Sequence, residues 1–297
     1  MKIVKNKWDS GPVPVSVILI SLNEAHNMEE VLQNLSGWAS EVFLVDSCSS
    51  DATVDIALKY GVHVVQRYFD GFGSQWNFAL DSLPISNPWV MKLDPDERIS
   101  SELKSSLEVI IKKNICTGVN IERRLWFMGS ILPVTQIILR LWKRGSCRFT
   151  DVKVNEHPIV EGGLELASGY LEHHDSPNLD HWIAKQNNYT TTEAINQYTN
   201  GALAAIPKLL GSSLERRVWL KKYFWKFPGK YSALFVYHYL ILGSWKCGRI
   251  GWMWSHLRVE VYRYWGYKKI EMDITGQKIV KIPLQVGTPD KRVKFYK

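Results

Sequence analysis

The chain alternates short apolar runs with segments whose apolar residues recur every three or four positions. "VSVILISL" (15–22) is a continuous, β-branched apolar run, the pattern of a strand buried on both faces. "HNMEEVLQNLSGW" follows, with Met28, Val31, Leu32 and Leu35 at helical spacing. "EVFLVD" (41–46) reads as a second strand and "ATVDIALKYG" as a helix closed by Gly61. "VHVVQR" reads as a third strand, "SQWNFALDSL" as a helix and "WVMKLD" as a fourth strand. Strands alternating with helices predict right-handed βαβ units and a mostly parallel sheet. No run reaches the ~20 apolar residues that span a bilayer. The nearest, "YSALFVYHYLILG" (231–243), is short and contains His238. The run 15–22 is too short to be a signal segment ahead of a cleavage site, and it leads into Asn23 and Glu24. A cytoplasmic protein is expected.

In such sheets ligands bind at the carboxyl ends of the strands. Asn23, Asp46 and Asp94 each stand at or just past such an end. The fourth is the richest: in "WVMKLDPDERIS" the apolar strand runs directly into Asp94, Asp96, Glu97 and Arg98. No GxGxxG follows the first strand and no GxxxxGK[ST] occurs, so phosphates must be met in another way. A divalent cation held by carboxylates would do it, and magnesium takes one or two of them. Asp94-Pro95-Asp96 offers that arrangement, because Pro95 fixes φ and favours a bend that brings both carboxylates to one place.

Composition sharpens this in two ways. Of 297 residues, 45% are hydrophobic and 22% charged, which fits a globular chain. No repeat or low-complexity segment interrupts it. The four cysteines (Cys48, Cys116, Cys147, Cys247) form no CxxC pair, so neither a disulfide framework nor a zinc site is indicated. The net charge of +8 favours an anionic partner: phosphates, nucleic acid or an anionic membrane. The charge is uneven. From 215 to 270 many Lys and Arg face only Glu215 and Glu260.

"VSVILISLNEAHNMEEVL", "VDSCSSDAT", "FGSQWNFAL" and "LDPDERIS" resemble, in order and spacing, the GT-A domain of the family 2 glycosyltransferases. The nearest branch is that of the bacterial enzymes of lipopolysaccharide-core and capsule synthesis. The resemblance spans residues 14–205 and, more loosely, the tail. It implies an α/β, Rossmann-like fold with flanking helices, a nucleotide-sugar donor (usually UDP-linked), a Mg or Mn ion, and inversion at the anomeric carbon. Carried over residue by residue, it assigns Asp46 to the uracil and Asn23 and Glu24 to the nucleotide pocket. Gln75 and Asn77 join the nucleotide-sugar contacts. Asp94 faces the ribose or the metal, and Asp96 binds the metal. Pro95 stands where the family usually has a small residue and leaves both carboxylates in place. An inverting transfer needs a general base. "DVKVNEHPIVEGG" resembles the family's stretch around it, with Glu156 at the base position; Asp151 and Glu161 are rival bases, and Asp175 is the next. His157 is placed to order a phosphate or the acceptor. In "YLEHHDS", His173 and His174 fall where the family tends to place a histidine near the metal, and His173 is the expected ligand.

Each residue also has a plainer reading. Asp94 and Asp96 could only form a strand-end turn, and Asp46 could only cap the turn before Ser47 and Ser49. Glu156 could pair with Lys153 or Arg148 on the surface. Gln75 and Asn77 could be polar positions on a helix, and the two histidines could be ordinary loop residues.

Residues 1–205 are expected to form the catalytic domain and 206–297 a helical extension. The tail mixes Trp, Tyr and Phe with Lys and Arg, as an interfacial helix does. Peripheral binding to the inner face of the cytoplasmic membrane and a lipid-linked or polysaccharide acceptor are therefore expected. Alternatively the aromatics are the core of a helical subdomain. No RNP, KH or zinc module supports nucleic-acid binding. Two other functions compete. A nucleotidyltransferase would carry a Gly-rich loop with Lys or Arg after the first strand, which "SLNEAHNMEE" lacks. A non-catalytic nucleotide- or membrane-binding module would have no need of both aspartates and Glu156.

Overall fold

A computed structural model describes residues 7–150, 157–199, 208, 210–211, 215–216, 219, 223–225, 227–279 and 294–296. Two compact units divide the chain: 1–125, 135–174 and 283–297 form the first, and 126–134 with 175–282 the second.

The first unit is built on a nine-stranded sheet. Its start follows the sequence pattern: β1 (Val13–Ser21), α1 (Ala25–Leu35), β2 (Ala39–Asp46), α2 (Thr53–Lys59), β3 (His63–Gln66), α3 (Phe72–Ser82) and β4 (Trp89–Leu93). β1 pairs in parallel with β2 and with β4, and β2 pairs in parallel with β3. Then come β5 (Glu97–Ile99), α4 (Ser101–Lys113), β6 (Gly118–Phe127), β7 (Ser130–Lys143), β8 (Cys147–Phe149), β9 (Pro158–Val160) and β10 (Leu164–His174). The sheet order is β11-β3-β2-β1-β4-β7-β6-β10-β5, where β11 is Lys294–Tyr296. The parallel part is β3-β2-β1-β4. Outside it β7 joins β4, β11 joins β3 and β10 joins β5, all antiparallel. β8 and β9 form a separate two-stranded ribbon.

The alternation of side chains along a strand explains the core. Val15, Val17 and Leu19 point to one face of β1 and pack with Met28, Val31, Leu32 and Leu35 of α1 and Leu103, Leu107 and Ile110 of α4. Ile18 points to the other face, in a cluster with Phe43, Val45, Trp76 and Trp142. Both faces of β1 are therefore covered, which is why it reads as an unbroken apolar run.

In the second unit α5 (Leu179–Tyr198) packs along α7 (Gly248–Thr275), with α6 (Lys230–Val236) beside α7. Its core holds Ala194, Trp265 and Met272, with Trp225 and Tyr262 packed on them. Some of the tail's aromatics are thus core, as the subdomain reading expects. Others are not: Trp245, Trp252, Tyr264 and Tyr267 are about half exposed. The expected boundary between residues 205 and 206 falls within a stretch, 200–207, that lies outside the described residues.

Candidate active site

The strand order reverses at β1, which lies between β2 and β4. Such a switch point opens a crevice at the carboxyl ends of the strands. The loops after β1, β2 and β4 meet there.

After β4 the chain makes a tight turn. The Glu97 amide donates to the Asp94 carbonyl at 2.9 Å, with Pro95 at the second position, which suits it. Glu97 is fully buried, and its carboxylate accepts the Asp94 amide at 3.0 Å. Arg140 of β7, itself buried, donates to both Asp94 (2.8 Å) and Glu97 (2.5 Å). Arg123 of β6 approaches Glu97 at 3.4 Å. Arg98 ties the turn down by donating to the carbonyls of Pro95 (2.6 Å) and Asn27 (3.2 Å). Burial pushes the Asp94 carboxyl up, but Arg140, with Lys92 behind it, holds it well below the ordinary carboxylate range. Asp94 is therefore a carboxylate with one flank committed to Arg140.

Asp96 points elsewhere. β10 runs antiparallel to β5 with His173 opposite Glu97, and the His174 amide donates to the Asp96 carbonyl at 2.7 Å. This register brings His173 Nε2 to 3.2 Å from Asp96 Oδ2. Burial pushes the imidazole down and the Asp96 carboxylate more than restores it, so His173 titrates above its ordinary value. A close approach sets the position of β10. Gly169 has a φ of +90°, and a Cβ there would lie 2.4 Å from the Leu103 amide nitrogen of α4. Ser100 completes the clasp, with its hydroxyl accepting the amides of Leu103 and of Tyr170.

The loops after β1 and β2 are laced together. Asn23, at a left-handed φ of 57°, accepts the Ser50 amide at 2.8 Å and donates its own amide to the Ser49 hydroxyl. The Glu24 amide donates to the Thr53 hydroxyl at 2.8 Å, and its carboxylate accepts from Asn27 at the start of α1. Asp46 is fully buried and accepts four hydrogen bonds: from the hydroxyls of Ser21 and Ser49, the Ser49 amide and the Gln66 side chain. Four is about the capacity of a carboxylate. α3 adds Gln75, buried, which accepts from Arg67 at 2.6 Å and donates to Ser47 at 3.3 Å. Asn77 faces the ribbon instead. Its amide group pairs with both the carbonyl and the amide of Phe149, each at 3.0 Å.

Residues 16–155 match the family model described as glycosyl transferase family 2. A lipopolysaccharide core biosynthesis glycosyltransferase, LpsC, of Rhizobium meliloti (strain 1021) is 28% identical over 253 residues, 81% of this chain and 86% of that protein. Residues 16–155 thus match a family 2 glycosyltransferase domain. An uncharacterized glycosyltransferase of Rickettsia prowazekii (strain Madrid E) is 25% identical over 61% of this chain and 66% of its own length. Among solved structures, the mannosyltransferase PcManGT from Pyrobaculum calidifontis, in complex with GDP-Man and Mn2+, aligns over 90% of this chain and 91% of its own, with 15% identity and a TM-score of 0.49.

In this glycosyltransferase, then, Asn23, Glu24, Asp46, Gln75 and Asp94 gather at the strand ends, and Asp96 meets His173. Asn77 braces the ribbon β8–β9. In the sequence the candidate base lies between β8 and β9. Phe149 pairs with Pro158, and Thr150 and His157 exchange hydrogen bonds beyond it. Glu156 and its rival Asp151 lie outside the described residues between those anchors, and Glu161 is exposed just past β9. Sequence reasoning missed Arg140 and Arg123 and gave Arg98 no role, and these three fix the acidic turn. It also missed Lys92, buried with its ammonium 4.4 Å from the centre of the Trp76 ring. A signal for Lys92 was available: a lysine inside an otherwise apolar strand.

Proposed function

We propose that the chain moves a sugar, with inversion, from a nucleotide sugar of UDP type to a hydroxyl of a cell-envelope glycan or lipid-linked acceptor. The carrying observation is the division of labour in the acidic turn: Arg140 takes Asp94 and Glu97, which leaves Asp96 to His173. Asp96 and His173 supply a carboxylate and an imidazole, a donor set that suits Mn and also admits Mg. Asp175, two residues beyond His173 in the chain, is the next carboxylate available to such a cation. A bound cation would neutralise charge on the diphosphate of the donor.

The chain's own groups then have these roles. The laced loops of Asn23, Glu24 and Asp46 form the floor for the nucleoside. Because Asp46 is already saturated, it serves by holding the 47–51 loop in shape. Asp94 faces the ribose with the oxygen not taken by Arg140. Glu156 removes the acceptor hydroxyl proton as the acceptor oxygen bonds to the anomeric carbon. The bond from that carbon to the diphosphate breaks on the opposite side. The likeness to LpsC supports an acceptor in the lipopolysaccharide core, and so a peripheral position at the inner face of the cytoplasmic membrane. The test is calorimetry of UDP and UDP-sugars with and without Mn2+. Asp96→Asn is expected to abolish the Mn2+-dependent part of donor binding while leaving the melting temperature near that of the wild type. Metal-dependent binding of normal strength in that variant would refute the assignment.

A further inference from the structure

Within the second unit, residues 230–275 form a helical hairpin. α6 runs into a single π-helical turn, Tyr237–Ile241. Gly243, in the left-handed region at φ 79°, reverses the chain, and a 3₁₀ turn, Ser244–Cys247, leads into α7. Gly251 seats α7 on that reversal, since a Cβ there would lie 1.7 Å from the Ser244 carbonyl oxygen. The Cys247 thiol donates to the Ile131 carbonyl at 3.2 Å, which ties the tip to the β6–β7 turn. The tip is therefore held in shape by backbone contacts and the Cys247 thiol, and owes little to its other side chains.

Those side chains face solvent although they are apolar. Leu240 is 55% exposed, Ile241 72%, Trp245 51% and Trp252 50%. Lys246 and Arg249 are exposed among them, and Arg249 and Trp252 line a shallow depression with Tyr239 and Met253. A cluster of exposed aliphatic and indole groups on a backbone-fixed turn marks a surface that something covers. The charge pattern says what. Residues 216–259 contain nine Lys and Arg and no Asp or Glu. An anionic lipid surface answers both features, with headgroups for the cations and acyl chains for Leu240 and Ile241; indoles prefer the boundary between the two. Among the described residues no helix is long and apolar enough to cross a membrane, so the contact is shallow.

We propose that the tip of this hairpin, residues 240–252, is the element that enters the bilayer interface. Leu240 and Ile241 reach the acyl chains, Trp245 and Trp252 sit at headgroup depth, and Lys246 and Arg249 bind anionic headgroups. The inference rests on the membrane part of the reading above and adds which element makes the contact.

The test is flotation of the full chain with vesicles of phosphatidylglycerol and phosphatidylethanolamine, and with vesicles of phosphatidylcholine alone. Changing Leu240, Ile241 and Trp245 together to Ser is expected to lower partitioning about tenfold or more on the anionic vesicles. Lys246→Gln with Arg249→Gln is expected to lower it about tenfold, on anionic vesicles and at low salt only. Both variants should bind UDP as the wild type does. If the triple variant melts early, Ile241→Asp alone carries the test. Wild-type partitioning in the triple variant, or in Ile241→Asp where that variant carries the test, would overturn the inference while leaving membrane association standing. Failure of the wild type to float would remove both. If sedimentation shows a wild-type dimer that the triple variant disperses, a second copy covers the tip, and the inference is overturned.

Discussion

The two units are packed by different means. In the first, the buried charges of the acidic turn are matched: Glu97 by Arg140 and Arg123, and Arg140 by two carboxylates. Asp46 is filled by four neutral donors. In the second, the packing is aromatic. Trp225 meets Trp265 edge-on at 5.0 Å, and His238 meets Trp254 at 5.0 Å. His238 Nδ1 and Ser244 Oγ are buried there with no hydrogen-bond partner, as Arg98 Nε, Arg140 Nε and Trp142 Nε1 are in the first unit. Ionic pairing fixes angles and distances, as a site that must place a diphosphate requires. Aromatic packing buries area and is less exacting about polar geometry.

The difference can be broken at its strongest point first. If the first unit exists to place charge, then removing the base should stop turnover and spare binding. Glu156→Gln is expected to lower kcat by ~10²–10⁴-fold with UDP-sugar affinity nearly unchanged. Asp151→Asn and Glu161→Gln should cost far less in the same assay, and a dead Asp151→Asn beside an active Glu156→Gln would move the role to Asp151. Next in size is the ion-pair cluster. Arg140→Met leaves Glu97 buried with its main partner gone and should cost about 3–5 kcal/mol in urea unfolding. A loss within experimental error would mean that the pairing is ornamental.

The second unit should instead show its weakness in acid. Burial, helped by Arg258, pushes the His238 imidazole down to about 4. The unfolded state then takes up the proton first as the pH falls below ~6.5, so stability present at neutral pH is lost between there and about 4. The full effect is about 3 kcal/mol. His238→Phe should flatten that part of the stability–pH curve, measured by thermal melting, and an unchanged slope would exclude His238 as its source. The smallest effect is expected at Asn77, whose amide pairs with Phe149 of the ribbon whose two strands flank Glu156 in the sequence. Asn77→Ala should cost about 1–3 kcal/mol and lower kcat more than donor affinity. Equal loss in both would point to a direct donor contact instead.

How much of this the sequence reveals follows from how far apart the partners lie. β1 to β4 and their helices are written in local periodicity, and the acidic turn stands out because four charges follow an apolar strand. Arg140 does not stand out. It lies on a half-buried strand, "SILPVTQIILRLWK", where a basic residue looks like any outward position until the strand is docked beside β4. The family motif named His173, but its contact with Asp96 depends on the β5–β10 register, which no local pattern encodes. Asp46 shows both limits. Its place at a strand end is plain from the sequence, while its saturation by Ser21, Ser49 and Gln66 exists only after three strands have assembled.

β11 returns to pair with β3, so the chain leaves the first unit at His174 and re-enters it at Pro283. Seen from the sheet, residues 175–282 are one long loop. The entropy of closing a flexible loop grows only with the logarithm of its length, about 0.6 kcal/mol for each doubling. The sheet is therefore nearly indifferent to how many residues the excursion contains, provided that the final strand still covers the open edge of β3. Length variation should accumulate between those two points. An insertion of the same size between β1 and β4 would split the parallel core.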